Sequence, residues 1–424
     1  MYQKKYLAVL LVASMFNGQA SHATTCIGYY NADKSSLLRI KDKSISAIEL
    51  KQAIKKNTPI SGFITTSDKR RINVKFTPGD LSLPMALAIH GLGDKKESLD
   101  PLISAFKSLI NVPVLSLDTN LSGESLKAFL QDNKNEVPKV FSYQKDVADI
   151  SEIVKSVGRN ELFVLGHSKG GGLGYETSVS LKKDGIEILG LIPMAPYAQD
   201  GFKYSLSLLM SFNLPAELLQ KLTNELSGIP VVGGPIEDSL KPFINTLGTI
   251  SNQFREGLVG YFDYFSRFMG LPTTEDLIRT TMTPSLNDFM QRTYTEYFTE
   301  IAEKELNRPL NKKEYDFIQK QVDASISLTN GLLRNDNQEA LDLLDGSKPL
   351  KIDPSIPVLL MVGQEDPLVT PPQMNLLKER LVNNGNHVTV YEVKNKGHFF
   401  PQQDPTTVAT QIAEFMLKQI SAKK

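Results

Sequence analysis

Gly166-His167-Ser168-Lys169-Gly170 places a hydroxyl between two glycines, directly after the apolar run Leu162-Phe-Val-Leu165 and before a glycine-rich helical stretch. A serine on a sharp strand-to-helix turn is strained, so its neighbours two residues away must be small. Such a turn lifts Oγ clear of the sheet, above the positive end of the following helix. The spacing alone is weak. With Gly and Ser each near ~7% of residues, a chain of this size shows it by accident roughly once in seven. The strand before it and the helix after it make Ser168 a candidate nucleophile rather than a member of an ordinary glycine-rich turn.

A serine hydroxyl is a poor nucleophile at neutral pH, so a base must take its proton and a third group must fix the tautomer of that base. The chain has five histidines. His22 lies in the leader described below, His167 adjoins Ser168 and should point away from it, His387 opens a strand and His90 ends one. His398, in Lys394-Asn-Lys-Gly397-His398-Phe399, falls in a loop between the last strand and the last helix, where it is either the base or a surface histidine. Val362-Gly363-Gln364-Glu365-Asp366-Pro367 puts Asp366 just past the preceding strand, with Glu365 beside it as the rival acid.

The elements that must position these groups follow from hydrophobic spacing. Ile60 to Thr66 and Ile72 to Thr77 read as a hairpin around Ser67-Asp68-Lys69-Arg70. Short apolar runs at Met85–His90, Val112–Leu117, Leu162–Leu165 and Ile186–Ile192 alternate with helical patterns, including Tyr143–Val157 and Lys169–Lys182. Continuous apolar strands alternating with amphipathic helices indicate a parallel sheet covered on both faces. From about Tyr197 to Asp353 strand-like runs vanish. Met290, Tyr294, Tyr297, Phe298 and Ile301 form one helical stripe, and Tyr315, Ile318, Val322 and Ile326 form a second behind the capping-box pair Asn311 and Glu314. The rhythm resumes with strands at Val358–Val362 and His387–Val393 and helices from Thr370 to about Val382 and from Pro405 to Ile420.

The order Ser, Asp, His, the elbow and the alternating strands make the sequence similar to the α/β-hydrolases over Ile60–Pro196 and Pro354–Ile420. The resemblance implies a mostly parallel central sheet with helices on both faces and a large all-helical cap inserted after strand 6. His90-Gly91-Leu92-Gly93 matches the family's turn after strand 3, which implies that the backbone N–H groups of Leu92 and Lys169 form the oxyanion hole. For the Lys169 side chain a solvated surface position is expected. Relatives that cleave haloalkanes or epoxides use an aspartate at the elbow, so Ser168 argues against those reactions.

Composition bounds the remainder. With 47 Lys+Arg against 47 Asp+Glu the chain has no net charge, which argues against nucleic-acid binding by bulk electrostatics. Cys26 is the only cysteine, so no intramolecular disulfide, multi-cysteine zinc site or CxxC redox motif can form. Residues 1–23 have the layout of a secretory signal peptide: two lysines, an apolar run from Tyr6 to Phe16 too short to span a bilayer, and Ser21-His22-Ala23. Cleavage is expected after Ala23, with Ala20 the alternative. The expected organisation is a leader (1–23), an extension (24–58), the first part of the hydrolase core (59–196), a helical cap (197–353) and the second part of the core (354–424).

The resulting expectation is a periplasmic or secreted serine hydrolase that cleaves an apolar or lipid-like carboxylic ester through an acyl-enzyme, with no metal or organic cofactor, no nucleic-acid partner and no transmembrane span. A lipase or phospholipase is one form of it. A serine peptidase or amidase of the same fold is the alternative, with Glu275, Glu296 and Glu300 as candidate amine-binding acids; a hydrolase-fold binding protein is the third. The aromatic group Tyr261, Phe262, Tyr264, Phe265 and Phe268 is either an acyl-chain grip or the core of the cap. Oligomeric state is not legible.

Overall fold

A computed structural model describes residues 40, 42–196, 291, 294–296, 298–300, 302–303, 306–333, 350–366, 369 and 371–423. The leader, Cys26, the aromatic group at 261–268 and Glu275 lie outside the described residues, as do Met290, Tyr297 and Ile301.

Eight strands form one sheet: β1 (Ile60–Thr65), β2 (Arg71–Thr77), β3 (Met85–Ile89), β4 (Val114–Leu117), β5 (Glu161–His167), β6 (Glu187–Met194), β7 (Val358–Gly363) and β8 (Val388–Val393). Their order is β1-β2-β4-β3-β5-β6-β7-β8. The hairpin pairs Ile60 with Phe76 through Thr65 with Arg71, β2 also runs antiparallel to β4, and the pairs from β4–β3 to β7–β8 are parallel. The order, with β2 alone reversed and a serine turn after β5, is the α/β-hydrolase fold.

Alternation along the central strands assigns the helices to faces. Phe163 and Gly190 lie against Phe415 of the last helix, whereas Val164 and Leu191 lie against Gly174 of the helix that follows β5. On the first face α2 (Asp100–Leu109) packs on α8 (Pro405–Lys423); on the second, α4 (Tyr143–Val157) packs on α5 (Lys169–Lys183), and α1 (Ala47–Lys55) packs on α4. Further helices are α3 (Gly123–Asp132), α6 (Lys312–Leu333) and α7 (Pro371–Asn383). All five residues of β3 and all six of β7 are buried, as two covered faces require.

The polar stretch before Asn57 contains α1, held by a reciprocal capping box between Ser46 and Glu49. Helix α6 starts where the Asn311–Glu314 pair predicts: the Glu314 N–H donates to Asn311 Oδ1 at 3.1 Å and the Asn311 N–H to a Glu314 carboxylate oxygen at 3.0 Å. Of the expected stripe, Ile318 and Val322 are buried and Ile326 packs against the same cluster, while Tyr315 is exposed; Phe317 and Leu328 are buried as well, and the capping Glu314 carboxylate pairs with the Arg308 guanidinium.

The turn at Ser168 depends on glycine. A Cβ on Gly166 would lie 2.0 Å from the Gly170 carbonyl oxygen, and one on Gly170 would lie 2.3 Å from the Ile89 oxygen. Both obstacles are backbone and cannot rotate aside. Gly166→Ala is therefore expected to lower stability by on the order of 2 kcal/mol; a urea-unfolding midpoint equal to the parent's would contradict this account of the turn.

Candidate active site

Ser168 lies between β5 and α5 with φ +54° and ψ −121°, a backbone conformation that L-residues rarely adopt. It is held there by its own N–H, which donates to the Met194 oxygen at 2.9 Å, and by its carbonyl, which accepts the Gly171 N–H at 2.8 Å. The strain is local and over-determined by packing, as expected where a side chain is to be presented rather than packed.

The structure brings Ser168, His398 and Asp366 together from far apart in the chain. Ser168 Oγ lies 2.9 Å from His398 Nε2, and His398 Nδ1 lies 2.9 Å from Asp366 Oδ2. The carboxylate accepts, so Nδ1 carries the ring proton and Nε2 presents its lone pair to the serine hydroxyl. All three residues are buried. The second Asp366 oxygen accepts the Val369 N–H at 2.9 Å, which fixes the carboxylate. Glu365 is exposed, and its backbone N–H donates to the Lys396 oxygen at 2.8 Å. Gly363, at the end of β7, comes so close to the His398 loop that a Cβ would sit 2.4 Å from the Lys396 and Gly397 oxygens.

The other two core histidines are locked and neutral. His167 Nε2 lies 2.9 Å from the His398 carbonyl oxygen, an acceptor, so it donates and ties the elbow to the backbone of the base. His90 Nε2 accepts the Thr119 N–H at 3.1 Å, so its Nδ1 donates to the Gly91 oxygen at 2.7 Å. Burial holds His167 at about 3, with the nearby His398 adding to the effect, and burial together with the charge of Lys169 holds His90 at about 3.

The loop after β3 abuts the elbow: a Cβ on Gly91 would lie 3.3 Å from Ser168 Cβ. Leu92, half-buried, is next in that loop. Lys169 is the first residue of α5, where a backbone N–H has no partner inside the helix. These two segments thus both lie next to Ser168.

The Lys169 side chain does not lie in solvent. It is 1% exposed, with Nζ 2.9 Å from Thr119 Oγ1 and 3.2 Å from Asp146 Oδ2. Spacing within α5 could not reveal this, because the partners that admit a buried cation come from two other elements. Burial lowers the Lys169 pKa, and the Asp146 charge opposes the shift. A second buried pair lies nearby, with Lys96 Nζ 3.3 Å from Asp118 Oδ2.

Over the site, Leu92 and Phe399 pack against a second apolar cluster that includes Phe298, Val322 and Leu328, with Tyr294 and Ile326 at its edge. Gly93 lies under Phe298 and Ser325. Helix α6 is anchored there through the Phe141 N–H, which donates to the Ser327 oxygen at 3.1 Å. Glu296 and Glu300 are exposed. Among the described residues no helix is long and apolar enough to cross a membrane, and no cluster of His, Cys, Asp or Glu could hold a metal ion.

No family model and no curated relative matches the chain. Among solved structures it is similar to a membrane phospholipase A described as a bacterial virulence factor, at 14% identity and TM-score 0.44, covering 98% of this chain and 99% of that one. It is likewise similar to a thermophilic esterase from Thermogutta terrifontis, at 16% identity and TM-score 0.43, covering 85% and 99%. A proline iminopeptidase from Mycobacterium smegmatis is similar at 14% identity and TM-score 0.45, covering 86% and 100%. The fold is established by the sheet order and the elbow, not by these likenesses.

Asp94 lies in the loop after β3, two residues past Leu92. Burial raises it to about 7, helped by the Asp118 charge and opposed by the Ser98 and Lys95 hydrogen bonds. Between the unfolded value near 4 and pH 7 the folded protein holds a proton that the unfolded chain has released, so stability falls as the pH climbs through that window. Asp94→Asn, which stays neutral, should match the parent near pH 4 and exceed it by about 4 kcal/mol at pH 8. Thermal midpoints that differ by the same amount at both pH values would refute this.

Proposed function

We propose that this protein is a serine hydrolase of carboxylic esters, and the single observation that carries the reading is the continuous relay from Ser168 Oγ through His398 to Asp366 on a strained elbow. His398 Nε2 takes the hydroxyl proton as Oγ attacks the ester carbonyl. The carbonyl oxygen, now negative, is held by the N–H groups of Leu92 and Lys169, each worth on the order of 3 kcal/mol to the transition state. His398 returns the proton to the leaving alcohol, giving an acyl-Ser168. It then deprotonates a water that releases the acid. Asp366 holds the imidazole in the required tautomer and offsets its positive charge. The reaction as written uses only groups of this chain and water.

The apolar cluster around Leu92 and Phe399 supports an apolar acyl or alcohol group over a charged one. It also favours an ester over an aminopeptide substrate. On the described part of 291–306 it is Tyr294 and Phe298 that join this cluster, while the acids Glu296 and Glu300 face solvent. In the same reading residues 197–353 form a cap over the site, and residues 1–23 export the protein to the periplasm or beyond.

A fluorophosphonate probe, which reacts with activated serines, is expected to label Ser168 in the purified protein and to leave Ser168→Ala unlabelled. Failure to label folded protein would overturn the hydrolase reading, and faster turnover of aminoacyl-nitroanilides than of p-nitrophenyl esters would replace the esterase with a peptidase. Asp366→Asn should lower kcat by roughly 10⁴, whereas Glu365→Gln should stay within about twofold of the parent. Equal losses in the two variants would mean that the acid has been misassigned.

A further inference from the structure

The oxyanion hole proposed above takes one N–H from the loop after β3 and one from the start of α5, two segments with no covalent link between them. Both donors must lie about 2.7–3.1 Å from the same oxygen to contribute fully. Something must therefore fix the distance between the segments.

Thr119, in the loop after β4, has hydrogen bonds that reach both. Its backbone N–H donates to Nε2 of His90, two residues before Leu92. Its Oγ1 accepts from Nζ of Lys169, the other donor residue, and donates in turn to Ser122 Oγ at 3.1 Å. Its neighbours are clamped in the same way. Asp118 accepts the Lys96 and Glu124 N–H groups at 2.8 and 2.9 Å, and the Asn120 N–H and side-chain amide donate to Asp146 Oδ1 at 3.1 and 2.9 Å. Asp146 also pairs with Lys169, and Asp149, which accepts from Asn120 at 2.6 Å, is gripped by both nitrogens of the Arg70 fork. Residues 118–120 thus form a rigid bracket. The Lys169 side chain is the arm that joins the elbow to it, and the Lys169 carbonyl is steadied by Tyr143 Oη at 3.4 Å.

A buried lysine costs several kcal/mol in desolvation, and an apolar side chain of similar length would fill the space at no such cost. A directional tether is what the cation provides and an apolar chain does not. We propose that Thr119 and the Lys169 side chain are positioning residues that hold the Leu92 and Lys169 N–H groups in register as one oxyanion hole. The proposal rests on the serine-hydrolase reading.

The test uses the full chain, a short p-nitrophenyl ester and an alkyl boronic acid, whose tetrahedral adduct with Ser168 places an oxygen in the oxyanion hole. Thr119→Val removes the hydroxyl at constant shape, Thr119→Ser restores it, and Lys169→Met removes the arm while keeping the backbone N–H. Thr119→Val and Lys169→Met are expected to lower kcat 10- to 100-fold with KM within about threefold, and to weaken boronate inhibition by the same factor. Thr119→Ser should recover at least a third of the parent kcat. Because both residues act through one bond, the double variant should lose little more than either single one.

If Lys169→Met folds and keeps the parent's kcat and boronate affinity, the pair is merely structural and the proposal fails. It also fails if Thr119→Ser loses as much as Thr119→Val, or if KM rises while kcat is kept. Fluorophosphonate labelling of the parent at Ser168 separates the two readings. Labelled parent with unaffected variants overturns the bracket alone, and unlabelled, inactive parent removes both.

Discussion

Ser168 can hold a positive φ because no side chain stands two residues to either side of it, at Gly166 and Gly170. The Gly170 carbonyl occupies the volume a side chain at 166 would need, and the Ile89 carbonyl occupies the corresponding volume at 170. These contacts join three elements at one point: the end of β3, the end of β5 and the first turn of α5. Because β5 pairs with β3 on one side and β6 on the other, the elbow sits at the centre of the sheet and inherits its rigidity. The position of every other group in the site is defined relative to that point.

A parallel sheet brings the carboxyl ends of its strands to one edge, and this is why residues far apart in sequence meet here. Asp366 follows β7 directly, and His398 lies in the loop after β8, one strand further from the centre. The imidazole must therefore reach back across the ends of β7 and β6 to Ser168. Two backbone contacts make that reach possible. The end of β7 closes on the Lys396 and Gly397 carbonyls, and His167 donates to the carbonyl of His398 itself. The two neighbours of the serine hold different partners: His167 reaches the His398 carbonyl, and Lys169 reaches Thr119 and Asp146.

The sheet and the three residues of the relay were legible because each leaves a local trace. Buried strands appear as short apolar runs, the elbow as glycines two residues either side of a serine, and Asp366 and His398 as polar residues just beyond strand ends. Helix α1 also leaves a trace, the capping-box spacing of Ser46 and Glu49, within an otherwise polar stretch that lacks a long apolar run. Helix α3 carries Leu126, Phe129 and Leu130 at helical spacing behind Ser122 as N-cap and Glu124 in the first turn, although the Ser122 side chain makes no cap hydrogen bond and Gly123 opens the helix with φ +51°. Lys169 is a different case. Its side chain is buried because Thr119 and Asp146, 50 and 23 residues away, receive its protons, and no pattern within α5 records that. Periodicity reports which face of an element is apolar; it is silent on polar groups that become buried as pairs.

The electrostatic consequence is that proton traffic at the site has one route. Three histidines lie in the core of the site, yet His90 and His167 are buried, and the proton each carries is committed to a backbone carbonyl. Neither gains charge until the medium is near pH 3, because a second proton would have to be buried beside the Lys169 ammonium or the imidazole of His398. The nearby cations are spoken for in the same way, Lys169 by Asp146 and Lys96 by Asp118. His398 alone has a nitrogen lone pair aimed at a hydroxyl and a carboxylate behind it. A site so crowded with ionisable groups can still direct a proton to one oxygen, because each of the others is already bound to a fixed partner.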